Sequence, residues 1–181
     1  LVLFGIKPKS PRTEYGYIRQ GAALEGFDGQ AFTVAAFAEK PDAGTAQRYL
    51  DEGDYFWNSG LFVFGARAFL SEASRAAPDV VEAARDALAG AKRDLGFLRL
   101  DEAAFAKSPN ISVDYAVMEK TGAAVVVPID IGWSDVGSWT SLWEIGSRDG
   151  QDNYVHGDAV LEDSSGLYLS LIHISEPTRP Y

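Results

Sequence analysis

The sequence predicts an α/β fold, a sheet flanked by helices, giving way to a β-rich region after about residue 150. Three observations carry this. Apolar strand-like runs alternate with helical periodicity along most of the chain. The strand pattern of residues 123–130 runs straight into a glycine-bounded corner, Gly132-Trp133-Ser134-Asp135-Val136-Gly137-Ser138-Trp139, which opens a helix pattern through Leu142 and Trp143. Beyond Asp149-Gly150 only short β-like pieces remain. Of 181 residues, 46% are apolar and 23% charged, enough to bury the core of one domain.

Leu1–Ile6 reads as a buried strand, and Pro8 and Pro11 mark the loop after it. Residues 15–19 read as a second strand, residues 25–29 as a turn and residues 32–37 as a third strand. A helix starts at Pro41-Asp42, carries Ala46, Tyr49 and Leu50, and is ended by Gly53. Residues 55–64 are strand-like but interrupted at Asn58-Ser59-Gly60. Helical patterns follow over 66–77 and 79–88, where Val80, Val81, Ala84 and Leu88 share a face, with Pro78 as stop and restart. A shorter helix is expected over 101–107, then one over 112–120 with Ser112 as its N-cap. The strand of 125–129 leads into the glycine corner and a helix through Ile145, followed by β pieces at 158–161 and 166–168.

Charge and composition narrow the chemistry. A net charge of −10 argues against binding a nucleic-acid backbone, which rests on Lys and Arg neutralising phosphates. No run approaches the roughly 20 apolar residues that span a bilayer, so no membrane partner is expected. The chain has no cysteine, which removes disulfides, thiol nucleophiles and thiolate metal sites and fits a cytoplasmic protein. His156 and His173 are the only histidines, which argues against a His-based zinc site or a Ser-His-Asp triad. Catalysis, if present, falls to carboxylates, Lys and Arg, amides and a hard metal ion. Neither phosphate-cradling glycine signature, Gly-x-x-x-x-Gly-Lys-Ser/Thr or Gly-x-Gly-x-x-Gly, occurs.

The two ends read as boundaries of an internal piece. Leu1 opens in mid-strand pattern, and residues 169–181 resemble the conceptual translation of a sequencing-library adapter. Biological sequence is expected to stop near Tyr168, so nothing functional is read into His173 or Arg179.

Several residues could carry chemistry. Asp135, a carboxylate between glycines where a strand turns into a helix, is placed to hold a metal or a sugar; equally, Ser138 caps the helix and Asp135 simply lies near its positive end. Asn58 sits in an apolar run and needs partners, which sugar hydroxyls or a tight Asn-Ser-Gly turn would supply. Glu39 could accept from paired hydroxyls and Lys40 could face a phosphate, or the two form an exposed salt bridge. Gly16, between Tyr15 and Tyr17, lets a backbone approach a ligand or marks a β-bulge. Asp114 lies in a first helical turn, where a carboxylate is favoured in any case.

Taken in order, Phe4-Gly-Ile-Lys-Pro8, Tyr15-Gly-Tyr-Ile18, Glu39-Lys-Pro41, Trp57-Asn-Ser-Gly60, Ser112-Val-Asp-Tyr-Ala-Val-Met-Glu-Lys120 and the glycine corner resemble the mannose-1-phosphate guanylyltransferases. The likeness is to the bacterial type often fused to a mannose-6-phosphate isomerase domain, and it covers Leu1 to about Asn153. It implies that residues 1–150 are the C-terminal part of a Rossmann-like nucleotide-diphospho-sugar transferase domain with a mixed sheet. Residues 151–168 would start a linker or β-rich region, and 169–181 would be a non-native tail. The implied reaction transfers GMP from GTP to mannose 1-phosphate, giving GDP-mannose and pyrophosphate, with Mg²⁺ as cofactor. Asp135 would be one of two carboxylates on the metal; Gly16, Glu39 and Asn58 would contact mannose, Lys40 its phosphate, and Asp114 would order the pocket. The family's glycine-rich phosphate loop and its other metal Asp would precede Leu1, so this piece alone is expected to be inactive. Other readings are a transferase for another sugar 1-phosphate, a non-catalytic sugar-nucleotide sensor, and a carbohydrate-binding module. Against the last, Trp139 and Trp143 at helical spacing read as core. A homo-oligomer of the full-length protein is left open.

Overall fold

The computed structural model describes residues 1–171. The expected tail from Ile172 on, including His173 and Arg179, lies outside them. The chain divides into two compact units, Leu1–Ile131 and Gly132 onward. That break in packing falls ahead of the change in sequence pattern near residue 150.

In the first unit, strands β1 (Val2–Ile6), β2 (Tyr17–Ala23), β3 (Phe32–Ala38), β4 (Tyr55–Val63) and β7 (Val125–Ile129) build one mixed sheet in the order β1-β4-β2-β3-β7. β1 runs parallel to β7, from Val2 opposite Val125 to Ile6 opposite Ile129. The other pairs are antiparallel. Phe32 opposite Val126 and Thr33 opposite Val125 close the sheet into a ring. Pro128 is tolerated in β7 because β3 pairs only with the strand's first two residues. Alternation sends Leu3, Ile18 and Val126 to one face, fully buried with Met118 and Ala124 and packed by Phe32, Phe37, Phe56 and Phe62. Each such aliphatic side chain contributes about 1.5–3 kcal/mol by leaving water. The opposite face carries Tyr17, Tyr55 and Trp57. There Tyr49 stacks on Tyr55 at 3.9 Å and tilts against Tyr17 at 5.3 Å.

Tyr49 comes from α1 (Ala43–Glu52), started by Asp42, whose side chain accepts from the Thr45 N–H at 2.9 Å, and ended by left-handed Gly53. α2 (Ala66–Ala76) and α3 (Pro78–Ala89) break where expected, Pro78 taking the first turn of α3, where its missing N–H leaves no hydrogen bond unmade. Ala73 and Val81 of these helices form a second core with Ala116 and Val117, and Leu1 and Val113 touch both cores. Four features differ from the sequence reading. β2 starts at Tyr17, leaving Tyr15 and Gly16 in the preceding loop. β4 is continuous, its Asn58-Ser59-Gly60 segment forming a bulge rather than a break: Phe62 pairs with Leu3 and Asn58 with Gly5. Residues 92–99 form a hairpin of β5 (Lys92–Asp94) and β6 (Phe97–Arg99), joined by Leu95 and Gly96 at φ 45° and 90°, followed by the short α4 (Glu102–Phe105). The helix expected over 112–120 is a π-helical turn, Asp114–Met118, with the Glu119 N–H bonded to the Asp114 C=O at 2.9 Å. The residue that precedes this turn is Val113, not the expected cap Ser112, and it makes no side-chain cap bond; the Ser112 hydroxyl lies 3.5 Å from the Tyr115 N–H.

The second unit holds α5 (Trp139–Ile145) and a parallel pair, β8 (Tyr154–His156) and β9 (Tyr168–Ser170); residues 158–161 form no strand. Its polar hub is Asn153, 1% exposed. The Asn153 amide donates to Asp149 Oδ2 at 3.1 Å and the Ser164 C=O at 3.0 Å, and its Oδ1 accepts from the Leu167 N–H at 3.0 Å. The Asn153 N–H above all, then the Asn153 side-chain amide and the Gln151 N–H, hold the Asp149 carboxyl below its usual range. Trp139 is not core as expected but 74% exposed, because α5 buries no residue. Trp143 is pinned by its indole N–H to the Asp152 C=O at 2.7 Å, under the Arg148 guanidinium. Among the described residues no helix is long and apolar enough to cross a membrane.

Candidate functional site

Five of the residues singled out by sequence come together in the first unit. The closed sheet sets β4 beside both β1 and β2, so Asn58 stands next to the loop entering β2; its N–H donates to the Gly16 C=O at 2.7 Å. Glu39 follows the last residue of β3, the strand paired with β2, and leans over Gly16. A β-carbon on Gly16 would collide with Glu39 Oε2 and stand 3.2 Å from Asn58 Cβ. Gly16 is thus the floor on which the Glu39 carboxylate and the Asn58 amide meet.

From the other side, the π-helical turn presents Asp114, whose Oδ1 accepts from Asn58 Nδ2 at 3.1 Å. Asn58 Oδ1 in turn accepts from the Gly60 N–H in the bulge at 3.1 Å. The amide orientation is therefore fixed at both ends, leaving one N–H and one lone pair for a ligand. The tight Asn-Ser-Gly turn also forms, as this bond from the Gly60 N–H to Asn58 Oδ1 inside the strand bulge, with Gly60 at φ 71°.

Glu39 is the electrostatic centre of this group. Burial pushes its carboxyl above the usual carboxylate range, the Asp114 charge adds to the rise, Lys40 opposes it and Glu119 adds again. Lys40 Nζ lies 3.8 Å from Glu39 Oε1 with most of its side chain in water, so the salt-bridge reading also holds, though a pair so exposed contributes little. Lys40 takes a left-handed φ of 49°, and its N–H donates to the Tyr15 C=O at 3.2 Å. The result is a half-buried carboxylate and amide that can grip hydroxyls, with a mobile point charge at the rim. Glu119, which the sequence reading gave no role, also faces this group: its Oε1 accepts from the Glu39 N–H at 3.3 Å.

Asp135 belongs to the second unit and is exposed. Its carboxylate folds back over Gly137, where a β-carbon would stand 2.6 Å from Oδ2, so a larger residue there would push the carboxylate aside. Val136 beside it has φ 51°, a strained backbone for a β-branched residue. The helix-cap reading of this corner is realised by Ser138, which accepts from the Ser141 N–H at 3.1 Å. Among the described residues no hydrogen bond or ion pair engages the Asp135 carboxylate, and no group of three or more His, Cys, Asp or Glu could hold a metal.

Comparison with known proteins defines the class to which this mixed α/β fold belongs. The family model described as nucleotidyl transferase matches residues 1–152, and the chain belongs to that family. Among its relatives, the xanthan biosynthesis protein XanB of Xanthomonas campestris pv. campestris is 52% identical over 168 residues, which are 93% of this chain and 35% of that protein. The mannose-1-phosphate guanylyltransferase ManC of Salmonella typhimurium is 50% identical over 170 residues, again 93% of this chain and 35% of the relative. A crystal structure described as a mannose-1-phosphate geranyltransferase from Thermus thermophilus superposes with a TM-score of 0.75 at 35% identity, covering 93% of this chain and 48% of that one. The chain spans about a third of the length of the curated relatives it matches.

Proposed function

We propose that this chain is the sugar-phosphate-binding part of a mannose-1-phosphate guanylyltransferase, which transfers GMP from GTP to mannose 1-phosphate and releases pyrophosphate, acting in the cytoplasm. The observation that carries the proposal is the meeting of Glu39, Asn58 and Asp114 over the bare Gly16, with Lys40 at the rim. Glu39 and the free N–H of Asn58 bind mannose hydroxyls, Asp114 holds the Asn58 amide in place, and Lys40 holds the phosphate. An oxygen of that phosphate attacks the α-phosphorus of GTP; the new P–O bond forms as the bond to the pyrophosphate leaving group breaks. A phosphate monoester with a second pKa of about 6 is already largely dianionic at neutral pH. The attack therefore needs no general base, in keeping with a site built without histidine.

The Asp135 carboxylate is a donor of the kind magnesium takes. Mg²⁺ keeps several waters and is commonly held by one or two carboxylates plus substrate phosphates, so the single unengaged carboxylate of Asp135 suits it. When bound there, the ion would supply charge neutralisation at the nucleotide phosphates. No other described residue is assigned to the metal.

Calorimetric titration of the 181-residue chain tests the reading. Mannose 1-phosphate is expected to bind at least about tenfold more tightly than glucose 1-phosphate, since hydroxyls that fail to meet buried polar groups leave them unpaired. Addition of GTP and Mg²⁺ is expected to yield no GDP-mannose, because the chain offers one metal carboxylate and no phosphate loop. Equal affinity for the two sugars, or no binding, would overturn the mannose reading.

A further inference from the structure

The π-helical turn does more than present Asp114. Its defining bond, from the Glu119 N–H to the Asp114 C=O at 2.9 Å, spaces those two residues by one wide turn. In an α-helical turn the residue stacked on Asp114 would be Met118. Met118 is instead 2% exposed in the sheet core, and Glu119 takes the place beside Asp114 facing Glu39. There Glu119 Oε1 accepts from the Glu39 N–H at 3.3 Å, immediately before Lys40 turns left-handed.

The backbone on the far side of Glu119 is clamped to α2. Arg75 Nη2 donates to the Lys120 C=O at 3.0 Å while paired with Glu72 at 2.8 Å, and Lys120 Nζ reaches the Ala76 C=O at 3.4 Å. The Thr121 hydroxyl donates to Glu72 Oε2 at 2.6 Å. Glu119 is therefore held firmly at its root, with its carboxylate on the backbone of the residue pair that binds the ligand.

We infer that Glu119 is a positioning residue for the sugar-phosphate site, its carboxylate holding the Glu39–Lys40 backbone so that Glu39 and Lys40 meet hydroxyl and phosphate together. This rests on the mannose 1-phosphate reading above. Glutamine keeps the acceptor oxygen and removes the charge that also pushes the Glu39 carboxyl up, so the glutamine variant separates positioning from electrostatics.

The experiment compares the wild-type chain with Glu119→Ala and Glu119→Gln. Mannose 1-phosphate affinity is read by calorimetry, and exchange of the Glu39 amide proton by NMR. Loss of the acceptor in Glu119→Ala is expected to weaken binding about tenfold and speed Glu39 exchange, whereas Glu119→Gln stays within about twofold of wild type on both. Glu119 is exposed, so all three chains are expected to melt alike. Wild-type affinity in Glu119→Ala, or a Glu119→Gln as weak as Glu119→Ala, would overturn the inference and leave the mannose reading standing. A wild-type chain that binds no mannose 1-phosphate would overturn both.

Discussion

A side chain at Gly16 would have to share space with Glu39 Oε2 and the Asn58 Cβ, so this residue tests whether the cradle is needed for binding. Gly16→Ala is expected to push Glu39 off Asn58, weaken mannose 1-phosphate at least about tenfold, and destabilise the fold by about 1–3 kcal/mol through overpacking. Calorimetry and urea denaturation check the two effects separately; unchanged affinity would show that Glu39 is not part of the site. In the sequence Gly16, Glu39, Lys40, Asn58 and Asp114 are each ambiguous alone and are linked only by their order along the chain; the fold brings them side by side. Glu119 escaped notice because its role is a bond to another residue's backbone, and its place beside Asp114 depends on a five-residue hydrogen-bond spacing. Helical periodicity, read at 3.6 residues per turn, assigns that place to Met118.

Among the elements, β4 departs most informatively from its sequence pattern. The Asn58-Ser59-Gly60 stretch carries turn residues, yet Tyr55, Trp57 and Ser59 keep one buried face through it. The bulge is stapled by Ser59, whose hydroxyl donates to the Phe4 C=O at 2.7 Å and accepts from the Leu61 N–H at 3.3 Å. Ser59→Ala is expected to destabilise the chain by about 1–3 kcal/mol, because buried backbone groups lose their partner; the urea midpoint measures it, and an unchanged midpoint would mean the bulge stands without its staple. Helices α1, α2 and α3 were legible nearly to the residue, since Asp42, Gly53 and Pro78 mark their ends chemically. The β5–β6 hairpin was not, because Lys92-Arg93-Asp94 and Phe97-Leu98-Arg99 show no apolar alternation, and only Leu95-Gly96 hints at the turn.

At the scale of the whole molecule, Leu1–Ile131 and the residues from Gly132 on are separate compact units. Residues 132–138 carry no helix or strand, and most are exposed. Limited digestion with subtilisin is therefore expected to cut first in this segment and leave a resistant core ending near Ile131, as read by mass spectrometry. First cleavage inside β4 or α3 would contradict that division. The alternation of strands and helices announced the α/β class, but ring closure was beyond reach, because the pairing of β3 with β7 joins residues far apart in sequence by a register that only packing decides. The wide turn at Asp114–Met118 has a consequence for how this family can vary. Its geometry is written as a count of residues, so a single deletion there would restore ordinary helical winding while the flanking core residues keep their places. A chain one residue shorter at this point would keep its core yet change which residues the turn presents to Glu39.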